Sequence, residues 1–274
     1  PLVHQSDFIL AAGYDPIEMR AGWRNPWGDK GKVIEFSAVP NTHYMHQADL
    51  SFVGHIGEGL KTLRKGISPS PVWKGSEPKN VRNKLKSIFS GNHEWGPGLV
   101  IETVRKILPE NGIATVDSGA HRILLSQIWE CYEPRRLLQS TGLCTMGCAI
   151  PLAMGFKLAS PERPVVAFTG DAGLEMVLGE LATLRDLKLP VVVVVFVDES
   201  LALIELKQRR LGMSNIGVDF GPTNFAKVAE ALGGEGRWVS DKSDLIEAFE
   251  GAFDRQKFSL LACKIGHKVY DDCF

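Results

Sequence analysis

Two acidic side chains, Asp171 and Asp198, carry the clearest chemical signal in this sequence. Each follows an apolar run: residues 165–169 end at Gly170-Asp171-Ala172-Gly173, and Val191–Val197 ends at Asp198. The second run is unbroken and β-branched, the pattern of a strand buried on both faces. Residues 174–187, between the runs, space Leu174, Val177, Leu178, Leu181 and Leu184 as one helix would. Leu201 opens a further apolar-periodic segment that reaches Gln208. Two parallel strands joined by a helix bring both carboxyl ends to one sheet edge, where open α/β sheets bind ligands. Two acids there, beside small residues and two helix N-termini, suit a hard divalent cation bridging to phosphate oxygens. Singly, each acid reads equally as a helix N-cap, a role Asp favours. As a pair across one βαβ unit, they favour the cation.

The elements that would position these acids read as an α/β domain, a parallel sheet with helices on both faces. Pro97 suits the first turn of a helix running to Leu108. A strand at 113–117 follows, then the turn Ser118-Gly119-Ala120-His121. A small-residue turn after a strand is a candidate phosphate loop, and His121 reads either as a phosphate contact or as a histidine satisfied at a helix start. Residues 140–147 lead into a small-residue helix at 148–158. Downstream, 212–220 is loop-like, Asn224 caps a helix at 225–232, and a strand at 237–239 precedes a helix ending at Phe253. The last strand is 260–265, followed by a polar tail.

The stretch 165–208 resembles the thiamine diphosphate signature of the superfamily of acetolactate synthases, pyruvate oxidases and decarboxylases. That signature opens with Gly-Asp-Gly and closes with an Asn pair; here it stands as Gly170-Asp171-Ala172 and Val197-Asp198. Ala172 is small enough for backbone N–H groups to approach a phosphate. Asp198 keeps an oxygen ligand and adds charge, and the catabolic acetolactate synthases are similar in using Asp there. The resemblance implies Mg2+ held by Asp171, Asp198 and the main-chain carbonyl of Ser200, with Gly173, Leu201 and Ala202 also against the cofactor. It places Gly119 and His121 near the diphosphate. It makes Met146 an apolar wedge that bends the cofactor, a part its adaptable thioether suits. The Cys144 main-chain carbonyl would accept from the aminopyrimidine. Leu203 and Ile204 would face the substrate. Lys207 stands where biosynthetic acetolactate synthases have Trp, and reads either as a carboxylate contact or as an exposed helix lysine. FAD is possible in this superfamily, but no residue here indicates it.

The phrases AAGYDPIE and ADLSFVGHI resemble the middle domain of acetolactate synthases. Residues 1–64 thus read as the C-terminal half of a Rossmann-like middle domain, with strands at 8–12, 33–37 and 49–54 and a helix at 57–63. Residues 65–95 read as a linker and 96–274 as the diphosphate-binding domain. A fold that starts in mid-sheet exposes an edge, so the chain is expected to be a piece of something larger. The Asp15-Pro16 turn reads as a plain β-turn. The basic stretch 79–86 reads as a solvated helix face, since it has no aromatic interleaving.

Composition narrows the field. The 274 residues carry a formal net charge of −1, which offers no field for nucleic acid or an acidic membrane. Five cysteines show no CxxC metal spacing, and their odd count argues against a closed disulfide framework and for a reducing cytoplasm. The apolar runs are strand length, too short to span a membrane. The resemblance implies a carboligase or decarboxylase of 2-oxo acids, in which the thiazolium acts as electron sink. The activating glutamate belongs to the family's pyrimidine-binding domain, which no part of this sequence matches, so no catalytic residue is assigned. That domain would come from a longer precursor or a second chain, in a dimer or tetramer. Two other classes stay open: a non-catalytic binding or regulatory module, and an NAD-type Rossmann protein. Against the latter, no GxGxxG follows any expected strand.

Overall fold

The computed structural model describes residues 2–15, 26–28, 31–42, 45–68, 73, 75–89, 94–271 and 273. Pro16 of the expected turn, and the linker residues 69–72, 74 and 90–93, lie outside the described residues. The chain divides into two compact units, Pro1–Leu85 and Lys86–Phe274. The division falls inside the stretch read as a linker.

The first unit holds α1 (Leu2–Gln5), β1 (Phe8–Ala12), β2 (Lys32–Ser37), β3 (Leu50–Val53) and α2 (Ile56–Lys65). Its strands pair in parallel in the order β1-β2-β3, with Ile34 opposite Leu50. Asp49 pins the start of β3, accepting the Val33 N–H at 2.8 Å and the Lys32 ammonium at 3.0 Å. Phe36 packs under α2 so closely that a Cβ on Gly59 would stand 2.6 Å from its ring. β3 is an edge strand with Leu50, Phe52 and Val53 exposed. The basic stretch forms α3 (Glu77–Phe89), a helix with no buried side chain.

The second unit continues with α4 (Pro97–Ile107), β4 (Ile113–Val116), α5 (Ala120–Ile128), β5 (Leu137–Gln139), α6 (Ala149–Ala159) and β6 (Val165–Gly170). Then come α7 (Asp171–Glu175), α8 (Glu180–Asp186), β7 (Val191–Val197), α9 (Ala202–Arg210) and α10 (Phe225–Ala231). It closes with β8 (Glu235–Val239), α11 (Lys242–Phe249) and β9 (Ser259–Lys264). Six parallel strands lie in the order β5-β4-β6-β7-β9-β8.

Period-two alternation along β7 explains the layers. Val192, Val194 and Phe196 face a core built with α4, α5 and α11, while Val191, Val193, Val195 and Val197 face a second core built with α6, α8 and α10. All seven β7 residues are buried, as the unbroken β-branched run requires. The chain therefore leaves β4 toward one face, through α5, and leaves β6 toward the other, through α7. Between those two strand ends is a topological switch point, where doubly wound sheets open a crevice.

One expected element differs. Residues 174–187 do not form a single helix: α7 ends at Glu175, and α8 begins at Glu180. Tight i→i+3 bonds bridge the gap, from the Val177 N–H to the Leu174 carbonyl and from the Glu180 N–H to the Val177 carbonyl, both 2.9 Å. This tighter turn sets Val177 against Gly147 while keeping Leu174, Leu181 and Leu184 in the core. Helix α11 likewise stops at Phe249, short of Phe253, before Gly251 takes a φ of 65°. The three-residue β5 has no counterpart in the sequence reading; it is too short to show a period.

Candidate functional site

Asp171 and Asp198 meet beside the switch point, at the ends of β6 and β7, because those strands pair in register through Gly170 and Phe196. Asp171 opens α7, and its carboxylate accepts three backbone N–H groups. Oδ1 accepts the Ala172 N–H at 2.8 Å, and Oδ2 accepts those of Asp198 and Glu199 at 3.0 and 2.7 Å. Glu199 sits at φ 57°, in the left-handed region, directly after Asp198. Asp198 has only a long contact, the Ser200 N–H at 3.4 Å. Both acids are buried, and among the described residues neither forms an ion pair. Burial, then the charge of Asp171, pushes the Asp198 carboxyl up to about 7. Burial raises Asp171 as well, against the three N–H groups that lower it.

A second carboxylate organises the neighbouring loops. Asp117, at the end of β4 and 1% exposed, bonds His121 Nε2 through Oδ1 at 2.8 Å. Its Oδ2 accepts the Gly147 N–H at 2.6 Å and the Thr169 hydroxyl at 2.9 Å. His121 lies on α5 and stacks on Phe196, with ring centroids 5.5 Å apart. Gly147, at φ 76°, turns the chain just after Met146, and the Thr145 carbonyl accepts the Ser118 N–H at 3.3 Å. Cys144 is half-buried at φ 50° and two residues from Met146.

These pieces enclose a cavity of about 170 Å³. Gly119, His121 and Met146 line it from the β4 and β5 side; Gly170, Asp171, Ala172 and Gly173 from the end of β6; Asp198, Ser200, Leu201, Ala202, Leu203 and Ile204 from the end of β7 and α9. Lys207, on the same helix, is exposed and does not line it. Cys144, whose main-chain carbonyl the resemblance invoked, does not line it either. The tail after β9 folds back so that Tyr270, 3% exposed, also faces the cavity. Arg209 of α9 ties this tail down through Asp271 at 2.6 Å while holding Glu205 at 2.9 and 3.0 Å.

Residues 117–263, more than half of the chain, match the family described as thiamine pyrophosphate enzyme, C-terminal TPP binding domain. The chain belongs to this family. The matched span begins at Asp117 and includes β6, β7 and both acids. An acetolactate synthase of Bacillus subtilis (strain 168) is 28% identical over 254 residues, 90% of this chain and 44% of that protein. The acetolactate synthase isozyme 3 large subunit of Escherichia coli (strain K12) is 33% identical over 265 residues, 90% of this chain and 46% of its own length. A catabolic acetolactate synthase of Raoultella terrigena is 25% identical over 276 residues, 97% of this chain and 49% of its own. The chain thus spans just under half the length of these relatives. Among the described residues, no helix is long and apolar enough to cross a membrane.

Three lining or supporting residues escaped the sequence reading: Asp117, Phe196 and Tyr270. Asp117 read as a strand end, Phe196 as core, and Tyr270 as part of a polar tail. Residues 117–121 form the Asp-x-Gly-x-His run that the resemblance sets near the diphosphate; the run pointed to Gly119 and His121 but gave Asp117 no role, although the spacing sets two side chains one helical turn apart.

Proposed function

We propose that this chain holds the diphosphate end of thiamine diphosphate through Mg2+, as part of an acetolactate synthase-like carboligase or decarboxylase of 2-oxo acids. One observation carries the reading: two buried carboxylates share a strand-end crevice with no cationic partner among the described residues. Buried like charges are costly unless a cation or proton intervenes. A hard divalent ion with oxygen ligands suits this donor set. Asp171 keeps one lone pair on Oδ1 beyond its backbone bonds, and Asp198 has almost all its acceptor capacity free. The Ser200 main-chain carbonyl would complete the protein ligands.

Glycines at 119, 170 and 173 line the cavity and let the backbone lie close to His121 and Asp117. A Cβ on Gly170 would stand 3.4 Å from the His121 ring, and one on Gly173 would collide with Asp117. Met146 supplies an apolar wall opposite, and Leu203 and Ile204 supply an apolar substrate side. When bound, the cofactor supplies a thiazolium carbon that serves as electron sink on loss of carbon dioxide. The part of this chain is to anchor and orient; the activating carboxylate would come from a pyrimidine-binding domain, in a dimer or tetramer. Leu143, 96% exposed beside the Met146 turn, and Ile204, 46% exposed at the cavity, support a covering partner there. The names of the relatives, acetolactate synthases, support the reaction class.

Calorimetry on the chain tests the proposal. Thiamine diphosphate with Mg2+ is expected to bind saturably, with binding lost on adding EDTA and absent for NAD. No binding with both present overturns it. Binding with no turnover of any 2-oxo acid by the complete protein would leave the non-catalytic module as the better reading.

A further inference from the structure

We propose that Asp117 is a positioning residue of the cavity, which selects the tautomer of His121 and pins the turn that carries Met146. The proposal rests on the cofactor reading above for its ligand, but its geometry stands in the chain itself. An ionised carboxylate only accepts hydrogen bonds. Its Oδ2 already receives the Gly147 N–H and the Thr169 hydroxyl, and its Oδ1 faces His121 Nε2 at 2.8 Å. Nε2 must therefore carry the proton, and a neutral ring leaves Nδ1 as a bare acceptor. Nδ1 makes no hydrogen bond among the described residues. Its edge of the ring lies against Gly119 and Gly170, where Cβ atoms would stand 2.7 and 3.6 Å from Nδ1. Two glycines thus keep open the ring edge that Asp117 orients.

The packing makes this arrangement a single solution. A Cβ on Gly173 would lie 2.3 Å from Asp117 Oδ2, so the α7 backbone is fitted to the carboxylate. One side chain thereby joins the ends of β4 and β6 and the Met146 turn, three walls of one cavity.

Asp117→Asn discriminates this role from a generic buried contact. The amide has one oxygen, and the Gly147 N–H and the Thr169 hydroxyl, which both donate to Oδ2 in the wild type, hold it in that place. Its NH2 then falls against His121 Nε2, which must become an acceptor, and the proton moves to Nδ1. The readout is the imidazole 15N spectrum of the metal-free full chain, recorded where the ring is neutral. Wild type is expected to show Nε2–H, Thr169→Val to keep it, and Asp117→Asn to show Nδ1–H. Wild type with Nδ1–H, or Asp117→Asn that keeps Nε2–H, overturns the proposal; the wild-type measurement needs no variant to fold. In calorimetry, Asp117→Ala with native circular dichroism is expected to bind thiamine diphosphate with Mg2+ at least tenfold more weakly. An affinity within twofold of wild type overturns the positioning of the Met146 turn. A wild-type chain that binds no thiamine diphosphate removes the function proposed above, and the tautomer alone then decides the role of Asp117.

Discussion

Asp171 and Asp198 are joined through the backbone: the Asp198 N–H donates to Asp171 Oδ2 at 3.0 Å, and the Glu199 N–H donates to the same oxygen at 2.7 Å. Asp171 therefore orders the chain around Asp198, whereas Asp198 orders almost nothing. The two acids should respond differently to substitution. Asp171→Asn sets an amide NH2 against backbone donors, and costs about 1–3 kcal/mol of stability by leaving buried N–H groups unmet. Asp198→Ala removes a buried charge with one weak contact, and leaves stability at neutral pH unchanged or higher. Both should abolish Mg2+-dependent thiamine diphosphate binding. Urea denaturation beside calorimetry separates the two effects; normal cofactor binding by either variant would reduce that acid to a structural role.

Protonation gives an independent handle on Asp198. Its folded value of about 7 lies well above the roughly 3.9 of an unfolded aspartate. Between those values the folded chain binds more protons than the unfolded chain, so this group's contribution to stability is fully present below about pH 4 and is lost as pH rises through 7. Asp171 is shifted the same way. The metal-free chain is expected to melt lower at pH 8 than at pH 5, with a smaller difference in Asp198→Ala. Cofactor binding should run oppositely, strengthening as the carboxylates ionise for the metal. Identical melting slopes for wild type and Asp198→Ala would count against the buried-charge account.

Two glycines provide a matched pair. Gly173→Ala drives a Cβ to 2.3 Å from Asp117 Oδ2 and 2.8 Å from Thr169 Oγ1. Overpacking of this kind costs about 1–3 kcal/mol. Gly155 lies in α6 with no atom within 4 Å of a Cβ. Gly155→Ala is expected to stabilise by about 0.5–1 kcal/mol, the helix-propensity gain. Denaturation midpoints moving the same way for both would refute the packing argument at Gly173.

The tail makes a further prediction. Tyr270 is buried in the core of α4, α5 and α11 as well as facing the cavity. Truncating a buried aromatic to alanine costs about 3–5 kcal/mol. Tyr270→Ala should therefore lower the urea midpoint strongly, and an unchanged midpoint would show the tail to be peripheral.

Much of this architecture is legible in the residues. The β-branched run 191–197 could only be a strand buried on both faces, and apolar spacing on either side required helices, so the acids at 171 and 198 had to share a sheet edge. Side-chain burial repeats with the period of each element, and a period survives in sequence order. What the tertiary structure alone decided has no period. Asp117 gathers Gly147 and Thr169 from 30 and 52 positions away, and Tyr270 reaches the cavity from beyond the last strand. The break between α7 and α8 sets Val177 against Gly147, a contact between residues 30 positions apart that local pattern does not show. Local pattern placed the two acids on one edge; the strand order, and the loops it brings together, decided which other side chains surround them.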